Sequence, residues 1–192
     1  MSNTKKQQNV ILCGFMGCGK STVGLLLARR MKLRFLDLDY YIEEQAGMSI
    51  AEIFEKQGEE AFRKLEHQAV LGLAQRQGYV VPTGGGVLTR EENIAPLKES
   101  GLVVYINTPF ALCYQRIAST DRPLIKTRTR EELYELYLAR RKHYREASDL
   151  EVSGIRGSRA VVRSILQKLQ EDKSNEQKGA CPAGSAPIKT GV

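Results

Sequence analysis

A chain of 192 residues, 42% of them hydrophobic, holds enough apolar material for one α/β domain and is too short for a second full one. Its net charge of +7 raises nucleic acid as a partner, but no basic run alternates with aromatics, and phosphate and carboxylate chemistry accounts for the arginines more economically, so no nucleic acid is expected. The opening MSNTKKQQNV lacks the apolar core of a secretory signal, no stretch suits a bilayer, and Cys13, Cys18, Cys113 and Cys181 show neither C-x-x-C nor zinc spacing; the expectation is a cytoplasmic monomer with reduced thiols and no membrane contact.

Val10 to Cys13 form a short apolar run suited to a buried strand, and from Thr22 the residues Val23, Leu26, Leu27 and Met31 recur at helix spacing. Between them, Gly14 to Ser21 match the phosphate-binding pattern G-x-x-x-x-G-K-S/T. Gly17 and Gly19 let successive N–H groups turn inward, and the helix N-terminus adds its positive end, which makes an anion cradle. Lys20 supplies a cation for the β- and γ-phosphates of ATP, and the Ser21 hydroxyl is the expected Mg²⁺ ligand. Thr22 either touches a phosphate or favours the turn. Cys18 sits within the loop, as an inert small side chain or as an acidified thiol.

Leu33 to Leu38 reads as a second strand leading to Asp37 and Asp39, at the end of a strand where open α/β sheets bind ligands. Alternation sends both acids to one side. Solvated turn aspartates are an equal reading, and Asp39 could instead cap a helix starting near Tyr40. Helices are expected near 40–46, 49–57 and 59–76, with breaks at Gly47 and Gly58; Ser49 and Glu52 form a capping-box signature. Phe54 and Phe62 suit either the core or a ligand wall, and Arg63 and Glu66 are neighbours at i, i+3.

Tyr79 to Pro82 is a third strand, followed by Thr83 and the triple glycine Gly84, Gly85, Gly86, which serves a close ligand approach or a flexible loop. A helix around 90–99, a strand from Leu102 to Ile106 and a helix from Pro109 to about Ala118 come next. The polar, basic, proline-interrupted stretch 119–130 reads as a mobile lid. A helix over 131–147 puts Arg140 and Tyr144 on one face, Leu150 to Val152 is a last strand, and 158–170 a closing amphipathic helix. From 171 to 192 the pattern dissolves into a tail expected to be disordered. Alternating strands and helices predict a single domain over 1–170, a P-loop NTPase-like α/β fold with a five-stranded parallel sheet flanked by helices.

Taken together, GFMGCGKST, FLDLDYYIEEQAGMSIAEIFEKQGEEAFRKLE, PTGGGV, DRPLI and ARRKHYREA resemble shikimate kinase over roughly residues 9–170. The resemblance implies Mg²⁺-dependent transfer of the ATP γ-phosphoryl group to the 3-hydroxyl of shikimate, a step toward chorismate and the aromatic amino acids. It implies that Asp37 holds magnesium through water, and that Asp39 binds the sugar-like hydroxyls and accepts the departing proton. Arg63 and Arg140 would clamp the shikimate carboxylate, Glu66 would orient Arg63, and Phe54 and Phe62 would wall the pocket. Gly84, Gly85 and Gly86 would let backbone approach the substrate. Arg122 would close on the transferring phosphate, and Arg116 would lie against adenine, with Gly157–Ser158 as a further place for a backbone contact. Cys18 departs from the small Ala or Ser common in the family, and Ile125–Lys126–Thr127 carries no assigned lid contact. Two rivals remain: another small-molecule kinase, such as one acting on gluconate, and a catalytically silent nucleotide-binding module.

Overall fold

Branched aliphatic residues put one strand at the centre of the molecule. In the computed structural model, which describes residues 8–118, 125 and 127–179, β1 (Asn9–Cys13) is buried at all five positions and pairs in parallel on both edges. A strand covered on both faces by helices must be apolar throughout, and NVILC nearly is. Its polar residue, Asn9, is 1% exposed and fully used: its amide nitrogen donates to the carbonyls of Arg76 (2.7 Å) and Ser100 (3.0 Å), and its oxygen accepts the Tyr79 N–H at 3.0 Å. One side chain thereby ties the starts of three strands together.

The other strands of the sheet are β2 (Arg34–Phe35), β3 (Tyr79–Pro82), β4 (Gly101–Asn107) and β5 (Leu150–Ser153), in the parallel order β2-β3-β1-β4-β5. Seven α-helices flank the sheet among the described residues: α1 (Lys20–Met31), α2 (Leu38–Ala46), α3 (Ile50–Leu73), α4 (Glu91–Ser100), α5 (Phe110–Ile117), α6 (Arg130–Ala147) and α7 (Ser158–Gly179). From β1 the chain goes to the rim at β2, returns inward to β3, then crosses β1 to β4 and ends on the far edge at β5. Such a reversal opens a crevice beyond the carboxyl ends of the central strands. None of the helices is long and apolar enough to cross a membrane among the described residues.

The parallel α/β architecture is the one expected, with informative differences at element ends. β2 keeps only two of the six residues read as strand, because Asp37 turns the chain: it caps α2, accepting the Asp39 N–H at 3.2 Å, and the helix starts at Leu38 rather than near Tyr40. Asp39 is therefore in the first helical turn and is not the cap. Within α3 the backbone leaves helical geometry at Gly58 (φ 84°, ψ 172°), the break expected there, and Ser49 and Glu52 form the reciprocal capping box, with Ser49 N–H to Glu52 Oε2 at 3.0 Å and Glu52 N–H to Ser49 Oγ at 3.3 Å.

α7 continues to Gly179, nine residues past the expected end at 170. The extension EDKSNEQK has no apolar stripe but is made largely of good helix formers, and Gln167 reaches Glu171 one turn on at 3.0 Å. The remainder of the expected tail, 180–192, lies outside the described residues, as do 119–124 and 126 of the expected lid.

Candidate active site

β1 delivers the chain into the glycine-rich loop at the crevice. Gly17 has φ +79°, and a Cβ there would lie 2.5 Å from the carbonyl oxygen of Cys113 on α5, so both backbone hand and space require glycine. Lys20, the first residue of α1, folds back: its Nζ donates to the carbonyls of Gly14 at 2.7 Å and Phe15 at 3.2 Å and stands 3.8 Å from Cys18 Sγ. The ammonium is thus held over the loop beside a helix N-terminus, the arrangement that concentrates positive potential on a phosphate. Cys18 is 3% exposed and fills space behind the loop.

Ser21 Oγ donates to Asp37 Oδ2 at 2.7 Å, while Oδ1 of the same carboxylate caps α2. This bond fastens the phosphate loop to the start of the helical arm that follows β2. Among the described residues no group of three or more His, Cys, Asp or Glu side chains could hold a metal. One hydroxyl and one carboxylate side by side suit Mg²⁺, which keeps several waters and takes phosphate oxygens for the rest. Met16, Lys20, Ser21, Asp37, Asp39 and Thr83 border a cleft of about 210 Å³ here. Beside it, Cys18, Thr22, Arg116, Gly157, Ser158 and Val161 line a second cleft of about 310 Å³. Arg116 Nη1 donates to the Gly17 carbonyl at 3.0 Å, so one wall of this second cleft is pinned to the phosphate loop.

Opposite the loop, the triple glycine passes between functional side chains. A Cβ on Gly84 would meet Asp39 Oδ1 at 2.6 Å and Glu66 Oε1 at 3.3 Å. On Gly85 it would meet Arg140 Nη1 at 3.2 Å and Tyr144 Oη at 3.6 Å, and on Gly86, Arg63 Nη1 at 2.6 Å. Hydrogen in place of three side chains is what lets α2, α3 and α6 bring Asp39, Glu66, Arg63 and Arg140 around one length of backbone.

Arg63 is fixed before any substrate arrives. Nη1 donates to Glu66 Oε2 at 2.8 Å, and Nη2 and Nε donate to Glu59 Oε1 at 3.0 and 3.3 Å. Burial opposes its charge, but the two carboxylates outweigh burial and raise its pKa. Glu66 is 1% exposed; desolvation pushes its carboxyl above the ordinary range, with the nearby Asp39 adding to the rise, while Arg63 and Arg140 pull the other way. Phe54 and Phe62 pack with ring centroids 4.9 Å apart, and the Arg63 guanidinium lies 5.2 Å from the Phe62 ring centre. Phe62 is buried and Phe54 half-buried.

Two contributors escaped the sequence reading. Tyr144 was placed on the Arg140 face, but its hydroxyl also donates to the Gly85 carbonyl at 2.5 Å, and its buried ring packs on Tyr105 of β4 at 5.5 Å. Burial raises its pKa, so the hydroxyl stays a donor. Thr83 is buried at the cleft, its N–H and hydroxyl both donating to the Leu12 carbonyl at 3.0 and 3.2 Å, which moors the triple glycine to β1. Its position ahead of three glycines was the available signal. Arg122 lies outside the described residues.

A lysine-bearing phosphate loop on the central strand, with an arginine- and carboxylate-lined pocket across the crevice, places the chain among the P-loop small-molecule kinases. The shikimate kinase family model matches residues 16–170. The shikimate kinase of Aquifex aeolicus is 41% identical over 162 residues, covering 84% of this chain and 95% of that protein. The shikimate kinase of Geobacter sulfurreducens is 47% identical over 149 residues, covering 77% and 82%. The solved structure of shikimate kinase from Acinetobacter baumannii in complex with shikimate aligns with a TM-score of 0.82 at 38% identity, covering 87% of this chain and 95% of that one. The chain belongs to the shikimate kinase family.

Proposed function

We propose that the chain transfers the γ-phosphoryl group of ATP to the 3-hydroxyl of shikimate, giving shikimate 3-phosphate and ADP on the way to chorismate and the aromatic amino acids. The observation that carries this reading is the convergence of Arg63, Arg140 and Asp39 on Gly84–Gly86, across the crevice from Lys20. A small acceptor with a planar carboxylate at one end and hydroxyls along its ring matches two guanidiniums and one carboxylate so arranged. A gluconate-type acceptor gives no reason for two arginines packed against a triple glycine and is not favoured.

The residues divide the work as follows. Gly17, Cys18, Gly19, Lys20, Ser21 and Thr22 wrap the ATP phosphates, Arg116 borders the nucleotide's base, and Arg63 and Arg140 grip the shikimate carboxylate. Glu66 and Glu59 hold the Arg63 fork at the right angle. Phe54 and Phe62 exclude water from that end of the pocket. Asp39 binds the ring hydroxyls and takes the proton from the attacking oxygen. Lys20, with Arg122 of the lid, meets negative charge as it spreads over the transferring group. Ser21 and Asp37 would hold Mg²⁺, which when bound neutralises β- and γ-phosphate charge.

The test is an ADP-release assay with ATP, Mg²⁺ and shikimate, run beside gluconate and an acceptor-free control. Release that needs shikimate, with shikimate 3-phosphate identified by mass, is the expected result. Release with gluconate alone would overturn the acceptor, and nucleotide binding without any transfer would establish a silent module.

A further inference from the structure

A groove lies away from the crevice, in the crease where α1 packs against α7. It holds about 350 Å³, toward the lower end of the usual 300–1,000 Å³ for small-molecule sites. Leu26, Val162 and Leu166 form an apolar floor, and Arg30, Arg159 and Arg163 line it too. The pattern is set by helix spacing. Leu26 and Arg30 are one turn apart on α1, while Arg159, Val162, Arg163 and Leu166 fall at i, i+3, i+4 and i+7 on α7, a single stripe turned to α1.

Arg30, Arg159 and Arg163 have no carboxylate partner among the described residues. Arg90 and Arg145, by contrast, carry ion pairs with Glu60 and Glu151. Glu171, one turn past Gln167, accepts that side chain at 3.0 Å. Three guanidiniums gathered on one apolar crease repel one another, and an anion bound among them relieves that repulsion. A guanidinium fork favours planar or tetrahedral oxyanions over halide-like charges. The apolar floor adds a demand that inorganic phosphate cannot meet.

We infer that the α1/α7 groove binds a small amphiphilic anion, an apolar body bearing one carboxylate or similar oxyanion, at a site separate from the catalytic crevice. Its neighbour is the nucleotide-side cleft: Thr22 precedes Leu26, and Ser158 precedes Val162, by one helical turn in each case. The two sites are therefore back to back on the same pair of helices, and a test must fill one to see the other.

The experiment uses the full chain saturated with Mg²⁺ and a non-hydrolysable ATP analogue, with 8-anilinonaphthalene-1-sulfonate as the fluorescent probe. One saturable site is expected, displaced by octanoate but not by octanol at the same concentration. The double variant Arg30→Gln/Arg163→Gln should bind the probe at least tenfold more weakly while phosphorylating shikimate within twofold of the parent rate; both residues are exposed, and neither touches the crevice. Unchanged probe affinity in the double variant would overturn the inference. So would probe binding seen without the ATP analogue and absent from the analogue-saturated chain, which would place the dye in the nucleotide cleft. Binding to phosphatidylserine vesicles with no octanoate competition would replace the small anion with a lipid surface and equally overturn it.

Discussion

Replacing Gly86 with alanine tests the acceptor pocket with one carbon atom. Gly86 has φ −103°, so alanine costs nothing in backbone conformation. The new Cβ would lie 2.6 Å from Arg63 Nη1, 3.1 Å from Nη2 and 3.2 Å from Cζ, so the guanidinium must retreat by about 1 Å to reach ordinary contact. Retreat stretches the 2.8 Å bond to Glu66, and a charge-assisted bond of this kind is worth about 1.5–3 kcal/mol. Carried into binding, that is roughly a ten- to hundredfold rise in the KM for shikimate. The KM for ATP should stay within twofold, because the phosphate loop is untouched, and circular dichroism should show an intact fold. Steady-state kinetics with each substrate varied in turn provide the assay. A shikimate KM within twofold of the parent would refute the reasoning, since Arg63 would then not be reading the carboxylate from its observed position.

Asp39→Asn should lower kcat by about 10²–10⁴-fold while ATP still binds, read by turnover together with nucleotide titration; near-parent turnover would remove Asp39 as the base. Asn9→Ala should cost about 2–4 kcal/mol in urea unfolding, because one buried carbonyl, one part-buried carbonyl and one part-buried N–H lose their partner, with activity per folded molecule unchanged. Glu52 offers a pH signature. The Ser49 N–H, then the Ser49 hydroxyl and Lys56, lower its pKa from 4.5 to about 2. Its folded form therefore binds fewer protons than the unfolded chain between those values, so its contribution is full above pH 4.5 and is lost as pH falls toward 2. Glu52→Gln should flatten the stability profile across that window, measured by urea unfolding at stepped pH, and an unchanged slope would show the box adds nothing.

What could be read in advance depended on how local the cause was. The phosphate loop is written in eight consecutive residues, and the break at Gly58, the helix start at Pro109 and the Ser49 cap follow from single residues, so each is legible. β2 was overextended because its apolar run continues to Leu38, while its end is decided by Asp37 finding α2 and the Ser21 hydroxyl. The pairing of Arg63 with Glu66 was visible at i, i+3. Its convergence with Arg140, 77 residues on, comes only from the family resemblance, because the packing of α3 and α6 against one loop decides it; periodicity alone leaves Arg63 and Glu66 as an ordinary surface ion pair. The Tyr144 to Gly85 bond is of the same distant kind. The added length of α7 is not marked in the sequence because apolar periodicity signals a packed helix face, and EDKSNEQK carries no apolar stripe.

The unequal anchoring of the two halves of the crevice has a further consequence. The phosphate loop hangs from β1, which is paired on both edges, whereas α2 follows directly from the two residues of β2 at the sheet's rim, and the arm returns to the sheet only after α3, at β3. Amide exchange should reflect this: protons of β1 should leave only when the whole molecule unfolds, while those of α2 leave through a smaller, cheaper opening. The same partition separates what evolution can alter. A lineage can rebuild the rim that grips the acceptor without disturbing the strand that founds the ATP site.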